Sequence, residues 1–308
     1  MIDKFTQPHP LNTAVLFLVF NRLATTKQVF EAIKQAKPPR LYVAADGARV
    51  TKNGENEKVK TVRDFIMSNI DWGCEVKTLF RDENLGCKYA VSSAINWFFE
   101  NEEMGIILED DCLPSQSFFW FCEELLERYK DDLQVGQISG DNFQNGIKRG
   151  EADYYFSIYN HIWGWASWTN RWKNYDVELD TINDKKFIKN LFQNKNTQYY
   201  WLKVFENMKN KKIDTWDYQW TFTLWNNNQL TILPNINLIE NVGFGEGATH
   251  TTGESEFANL KAYDIVLSEY LLEININKEA DDYTAELMFN PKNLFIRVVN
   301  KLKRLIKW

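Results

Sequence analysis

Cysteine and histidine are scarce in this chain, with four and three residues among 308. Cys74, Cys87, Cys112 and Cys122 form no C-x-x-C pair, and none stands at zinc-site spacing from a histidine. A zinc finger and a thioredoxin-type redox centre are thereby excluded. Cys87 and Cys122 fall in helical patterns, where a free thiol serves as a small core residue, so a reducing cytosolic setting is expected. Long apolar runs are missing too. The stretch 14–20 is too short for a signal-peptide core and too short to span a bilayer. There is no Walker-type Gly-Lys-Ser/Thr and no Ser/His/Asp or Cys/His nucleophile pattern. The net charge of −6 lacks the basic excess of a general nucleic-acid binder, so no nucleic-acid partner is expected. What remains is an ordinary globular composition, 44% hydrophobic and 25% charged, with enough apolar mass for a large core. Aromatic content is 15% and includes 12 Trp, which suits stacking on sugars or bases and a bulky core equally well.

The first half alternates strand and helix. Apolar runs at 14–20, 41–45, 74–80, 106–108 and 135–139 predict strands. Amphipathic stretches at 24–37, 55–69, 89–100 and 118–129 predict helices, the first stopped by Pro38-Pro39. Repeated β-α units of this length imply a Rossmann-like, mostly parallel sheet flanked by helices. Short β-α loops then put Asn21-Arg22, Asp46-Gly47 and Glu109-Asp110-Asp111 on one edge. From Tyr154 onward the chain becomes aromatic-rich, with Trp163, Trp165, Trp168, Trp172 and Trp216-Asp217-Tyr218-Gln219-Trp220. Residues 180–212 are polar and read as solvated helices. A glycine-rich loop follows at 241–250 and ends on His250.

The run Gly105-Ile106-Ile107-Leu108-Glu109-Asp110-Asp111 carries the sharpest signal. A buried strand tolerates three acids only where it emerges, because unpaired buried charge is too costly. They therefore sit at the carboxyl edge of the sheet, where open α/β folds bind ligands. Hard oxygen ligands there suit Mg²⁺ or Mn²⁺, which in turn holds phosphate. A solvated acidic turn is the bland alternative for such a triplet. Asp111 lies furthest out of the strand and is the expected direct metal ligand. Alternation along an extended strand would place Glu109 and Asp111 on one face and Asp110 on the other.

In this order, the strand before Asn21-Arg22, the strand before Asp46-Gly47, the Glu109-Asp110-Asp111 strand, Trp216-Asp217 and the glycine loop with His250 resemble a GT-A glycosyltransferase. The similarity is greatest to the N-acetylglucosaminyltransferase I group and its bacterial relatives, and it covers about residues 14 to 252. It implies a GT-A domain over 1–255, with a nucleotide-sugar half at 14–140 and an acceptor half at 141–255, and a C-terminal helical extension over 256–308. It further implies a metal-dependent, inverting transfer from a nucleotide diphosphosugar to a hydroxyl. The donor expected is UDP-linked, with UDP-GlcNAc among the choices, and the acceptor a glycan or lipid-linked glycan. Mn²⁺ or Mg²⁺ is the implied cofactor.

The resemblance places Asp111 on the metal, Glu109 and Asp110 nearer the sugar and ribose, and nucleotide contacts in the loops of Arg22 and Asp46. A guanidinium at Arg22 suits phosphate or uracil, and a carboxylate at Asp46 suits a uracil N3–H. A surface arginine and a turn-forming aspartate before glycine explain the same two residues. Asn84 and Lys88 flank the Gly86 turn, either near the diphosphate or simply at a helix entrance. Asp217 is the candidate base, set between Trp216 and Tyr218 whose apolar surfaces favour a raised pKa; a helix N-cap is the other reading. His250 is implied as a further metal or diphosphate ligand. Trp163 and Trp216 are acceptor-wall candidates, although core packing suits such residues as well. A sugar nucleotidyltransferase would carry a glycine-rich loop after the first strand, and Asn21-Arg22-Leu23-Ala24-Thr25-Thr26 has none. A non-catalytic sugar-nucleotide or glycan-binding module predicts binding without turnover.

The end of the chain stands apart. Phe295, Val298, Val299, Leu302, Leu305 and Ile306 form an apolar stripe opposite Arg297, Lys301 and Arg304, and no acid follows Glu286. Such a basic amphipathic helix over 294–308 reads either as a peripheral contact with the inner face of the cell membrane or as a helix packed on protein.

Overall fold

The structure, a computed structural model, describes residues 5–181, 185–243 and 260–289. Its strands are β1 (Val15–Val19), β2 (Arg40–Ala45), β3 (Glu75–Phe80), β4 (Met104–Glu109), β5 (Cys112–Pro114), β6 (Val135–Ser139), β7 (Tyr154–Ser157), β8 (Trp165–Trp168), β9 (Leu230–Pro234) and β10 (Ile239–Asn241). The helices are α1 (Leu23–Ala36), α2 (Glu55–Asn69), α3 (Gly86–Phe99), α4 (Ser117–Arg128), α5 (Thr169–Trp172), α6 (Lys186–Leu191), α7 (Lys195–Lys209), α8 (Asp217–Asn226) and α9 (Lys278–Thr284). A single π-turn, Ala285–Phe289, continues α9.

Eight strands form one sheet in the order β3-β2-β1-β4-β8-β6-β9-β7, and β5 pairs with β10 in a small antiparallel ribbon. The pairings β3-β2-β1-β4 are parallel, β8 runs against both β4 and β6, and β9 is parallel to β6. Only β8 and β7 therefore oppose the common direction. This is the expected mostly parallel, Rossmann-like α/β sheet with helices on both faces.

Strand parity explains why the runs are apolar throughout rather than alternating. Val15, Phe17 and Val19 pack into a core with α1, α2 and α4, whereas Leu16 and Leu18 enter a second core with α3 and α8. Ile106 and Leu108 of β4 join the first core, and Ile107 joins the second. A strand buried on both faces needs apolar residues at every position, each contributing about 1.5–3 kcal/mol on full burial. Trp165, Trp172, Trp216 and Trp220 make up much of the second core; Trp165 and Trp216 stack at 5.7 Å.

Three expectations need correction. The predicted helix at 89–100 begins earlier, at Gly86, whose φ of 76° a side-chain-free residue adopts without strain. The expected helical extension over 256–308 is helical only from Lys278 to Phe289 among its described residues, while 260–277 is an irregular strap. Asp153 holds the strap by accepting the Ser268 and Glu269 amides at 2.8 and 2.9 Å, and Phe156 of β7 bridges to Ile276. The helices within 180–212 are solvated on one side only: Trp201, Val204, Phe205 and Met208 of α7 pack with Tyr159, Phe192 and Trp225. Residues 290–308, with the basic amphipathic stripe, lie outside the described residues. No helix among the described residues is long and apolar enough to cross a membrane.

Candidate active site

The chain runs β1, β2, β3 outward in one direction and returns to place β4 on the other side of β1. Open α/β sheets bind ligands at such a switch point, beyond the carboxyl ends of the strands. Here β1 delivers Asn21-Arg22, β2 delivers Asp46, and β4 delivers the acidic triplet to one edge.

Arg22 occupies the N-cap position of α1, with its carbonyl receiving the Thr26 amide at 3.0 Å. Its guanidinium donates to Asp110 Oδ1 and lies 2.9 Å from Asp111 Oδ2. One cation therefore joins two neighbouring acids. The strand ends at Glu109, and Asp110-Asp111 is a turn, so strict alternation of the three carboxylates does not hold. Glu109 keeps the parity of Ile107 and faces the core of α3 and α8. Burial, then the charges of Asp111 and Asp110, push its carboxyl up to about 8. Asp110 is 3% exposed; burial raises it to about 6 against the pull of Arg22, and its Oδ2 has no hydrogen-bond partner.

Asp111 is also shaped from the other side. Its carbonyl accepts the Val242 amide at 2.8 Å, and a Cβ on Gly243 would fall 2.2 Å from Asp111 Oδ2. Only glycine lets the backbone close on that carboxylate. The glycine-rich loop thus departs from Asp111; His250, expected as a further ligand, lies outside the described residues.

Asp46 anchors the start of α3. Its carboxylate accepts from Asn84 Nδ2 at 2.8 Å and from the Leu85 and Gly86 amides at 3.0 and 3.1 Å. Asn84 also donates to the Gly47 carbonyl at 2.7 Å. Both residues therefore fix the loops between β2 and α3, and a base or ribose must share acceptors already in use. Gly47 is required there, because a Cβ would sit 2.4 Å from the Glu83 backbone. Lys88 points elsewhere, pairing with Glu178 at 2.8 Å.

Asp217 opens α8 with Trp216 in the N-cap position, so it is the first helical residue rather than the cap. The Thr215 hydroxyl donates to its Oδ1. The Cys87 thiol reports how these elements converge. It is pushed up to about 12, by burial first and then by the charges of Glu109, Asp217, Asp214 and Asp46. One point on α3 thus senses the edges of β2 and β4 and the start of α8 together. Trp216, by contrast, is 2% exposed within the tryptophan core, which leaves it no face for an acceptor. Trp163 stays partly exposed, edge-on to Phe143 at 5.1 Å.

Two acids, Glu55 and Asp141, escaped the sequence reading. Glu55 binds Arg49 and accepts from Asn21 at 2.9 Å, tying the loop after β1 to α2; its bonds to Arg49 lower it to about 2. Asp141, 1% exposed, lies 3.3 Å from His161 Nδ1, and burial raises its pKa. The signal for Asp141 was present: it follows a strand, as the acidic triplet does.

A divalent cation is the group this edge is expected to hold. Among the described residues no group of three or more His, Cys, Asp or Glu forms a metal cage. Magnesium and manganese at phosphate sites need only one or two carboxylates, with water and phosphate oxygens completing the shell. The orphaned Asp110 Oδ2 and the Asp111 carboxylate, 17% exposed, are hard donors of the right kind, with Arg22 supplying the neutralising charge. The donor set fits.

No protein-family profile and no curated protein sequence matches the chain. Among solved structures it is similar to HddC from Yersinia pseudotuberculosis, at 11% identity and a TM-score of 0.31, over 51% of this chain and 77% of that one. It is similar to S. aureus TarS 1–349 at 9% identity and a TM-score of 0.39, covering 74% of this chain and 60% of that chain. The glycosyltransferase GlyE of Streptococcus pneumoniae TIGR4 matches at 11% identity and a TM-score of 0.33, over 72% of this chain and 45% of that one.

Proposed function

We propose that this chain is a glycosyltransferase that moves a hexosyl or N-acetylhexosaminyl group from a nucleotide diphosphosugar to a hydroxyl of a glycan or lipid-linked glycan. The observation that carries the reading is the pairing of Arg22 with Asp110 and Asp111 at the switch point of a parallel sheet, with Glu109 close enough to feel the charges of both Arg22 and Asp217. The resemblance to the N-acetylglucosaminyltransferase I group adds a UDP-linked donor, UDP-GlcNAc among the candidates, and inversion at the anomeric carbon.

Asp217 is the base. It stands on α8, apart from the Arg22-bound acids, and a carboxylate free of metal is the better proton acceptor. The acceptor oxygen forms its bond to the anomeric carbon as the bond to the diphosphate breaks, and its proton passes to Asp217. Thr215 orients the carboxylate by donating to Oδ1. Asp111 would hold Mn²⁺ or Mg²⁺, which supplies Lewis-acid neutralisation of the diphosphate. Arg22 then exchanges an aspartate partner for phosphate, and the loops braced by Asp46 and Asn84 frame the nucleotide. Transfer at the inner face of the cell membrane, through residues 294–308, suits a lipid-linked acceptor.

Calorimetry with a panel of nucleotide sugars, with and without Mn²⁺, tests the reading on the wild type, Asp111→Ala and Asp217→Asn. One UDP-sugar is expected to bind only with metal, and Asp111→Ala to abolish that binding. Asp217→Asn keeps the binding and lowers turnover by about 10²–10⁴-fold. Absence of binding by every nucleotide sugar sinks the proposal. Binding with no turnover on any acceptor supports a binding module instead.

A further inference from the structure

Arg22 is the one cation that forms an ion pair with the acidic triplet among the described residues. A single nitrogen, Nη2, makes both contacts, to Asp110 Oδ1 and, at 2.9 Å, to Asp111 Oδ2. The two partners are not equivalent. The Asp110 side chain is 5% exposed and the Asp111 side chain 17%. Asp110 is therefore the fixed end of the contact, and Asp111 the end that a ligand can reach. The Arg22 backbone is pinned as well. Its carbonyl accepts the Thr26 amide at 3.0 Å and the hydroxyls of Thr26 and Thr25 at 2.7 and 3.2 Å. An exchange of partners is thus a movement of the side chain alone.

Asp111 is also the expected ligand of Mn²⁺ or Mg²⁺. A guanidinium and a divalent cation on one carboxylate repel, and partial burial leaves that repulsion weakly screened. A metal ion without nucleotide therefore competes with Arg22 for Asp111. A nucleotide diphosphate without metal meets the opposite obstacle: Arg22 is already committed to two acids, and those acids repel phosphate. The Val242 amide holds the Asp111 carbonyl at 2.8 Å, which keeps the carboxylate within this competition.

Resting on the transferase reading, we propose that Arg22 is a positioning residue that guards Asp111 and admits metal and nucleotide diphosphate only together. Phosphate oxygens draw the guanidinium off Asp111 while Asp110 retains it, and the freed carboxylate turns to the metal. Relief depends on phosphate charge, so uridine leaves the guard in place, UMP lifts it in part, and UDP lifts it fully. The coupling is reciprocal: metal tightens UDP by the factor with which UDP tightens metal.

Calorimetry on the full chain tests this with Mn²⁺ alone and with Mn²⁺ in the presence of saturating UDP, UMP or uridine. In the wild type, UDP is expected to tighten Mn²⁺ binding about 100-fold, UMP less, and uridine not at all. Arg22→Gln should bind Mn²⁺ alone about ten-fold more tightly than the wild type, and the UDP effect should shrink by a similar factor. Arg22→Lys, which keeps the charge, should stay close to the wild type. The nucleotide series needs no variant, so a misfolded Arg22→Gln leaves the test standing. An Arg22→Gln chain that binds Mn²⁺ no more tightly than the wild type overturns the proposal. So does an Arg22→Lys chain that matches Arg22→Gln, because the gain would then come from a rearranged site and not from the missing charge. A wild type that binds UDP and Mn²⁺ independently overturns the coupling with the transferase reading intact. One that binds no UDP at any Mn²⁺ concentration overturns it through failure of that reading.

Discussion

Arg22 neutralises two carboxylates at once, and Asp110 is buried beneath it. Removing one partner of a buried pair leaves the other charged and desolvated, which costs about 3–5 kcal/mol when burial is complete. Arg22 is 26% exposed, so Arg22→Ala should cost less, about 2 kcal/mol. Mn²⁺ is then expected to raise the Tm of Arg22→Ala more than that of the wild type, because the metal replaces the lost charge. Equal shifts by thermal denaturation would show that metal does not enter among these acids. Gly243→Ala provides an independent probe, since its Cβ would overlap Asp111 Oδ2. It should weaken metal-dependent nucleotide binding by about ten-fold or more and leave Tm nearly unchanged. The acidic triplet, Arg22, Asp46 and Asp217 were all legible in the chain, because each follows or opens a readable element. That Arg22 reaches Asp110 was not legible, since it depends on the register of β1 against β4. Nor was the burial of Trp216, because an aromatic-rich run reads alike for a core and for a sugar-binding wall.

Whole elements are held by polar groups that periodicity does not reveal. Arg171 of α5 is fully buried, and its guanidinium donates to the carbonyls of Val135, Lys130, Tyr129 and Asp132 at 2.8–3.1 Å. It thereby closes the turn between α4 and β6. Arg171→Met would take a donor from each of those carbonyls, leaving Tyr129 and Asp132 with only the Asp132 and Val135 amides, and a loss of about 3 kcal/mol in urea denaturation is expected. A change below about 0.5 kcal/mol would mean that water replaces the guanidinium. The docking of α9 is expected to depend on pH. Asp281 accepts from the Ser157 hydroxyl and the Ile158 amide, yet burial raises its carboxyl to about 7. A raised acid stays protonated in the fold after the unfolded chain has released its proton. Stability should therefore fall between about pH 4 and pH 7, by up to about 1.4 kcal/mol per unit, and level off above pH 7. Asp281→Asn should flatten that slope; an unchanged slope would place the titration elsewhere. Strands 1, 2 and 4 were readable because burial on both faces makes them continuously apolar, whereas the strap over 260–277 has no period to read.

Across the molecule, the half expected to bind nucleotide and the half expected to bind acceptor share one sheet. Strands β6 to β9 come from residues 135–234 and extend the sheet that β1 to β4 begin. The composition change at Tyr154 marks a change of packing style rather than a separate body. The two margins of this sheet differ. On the β3 side the outer strand carries Glu75 and Lys77, charges that discourage pairing with another chain. On the β7 side the four strand residues are all buried, and the strap provides the cover, fastened by Asp153. Asp153→Ala should loosen it, seen as faster proteolysis within 260–277 and concentration-dependent self-association by light scattering. A variant as protease-resistant and monodisperse as the wild type would show that the Phe156–Ile276 contact suffices. The strap thus makes this chain its own strand-adding partner, and that margin stays soluble only while an intramolecular competitor outbids every neighbouring copy.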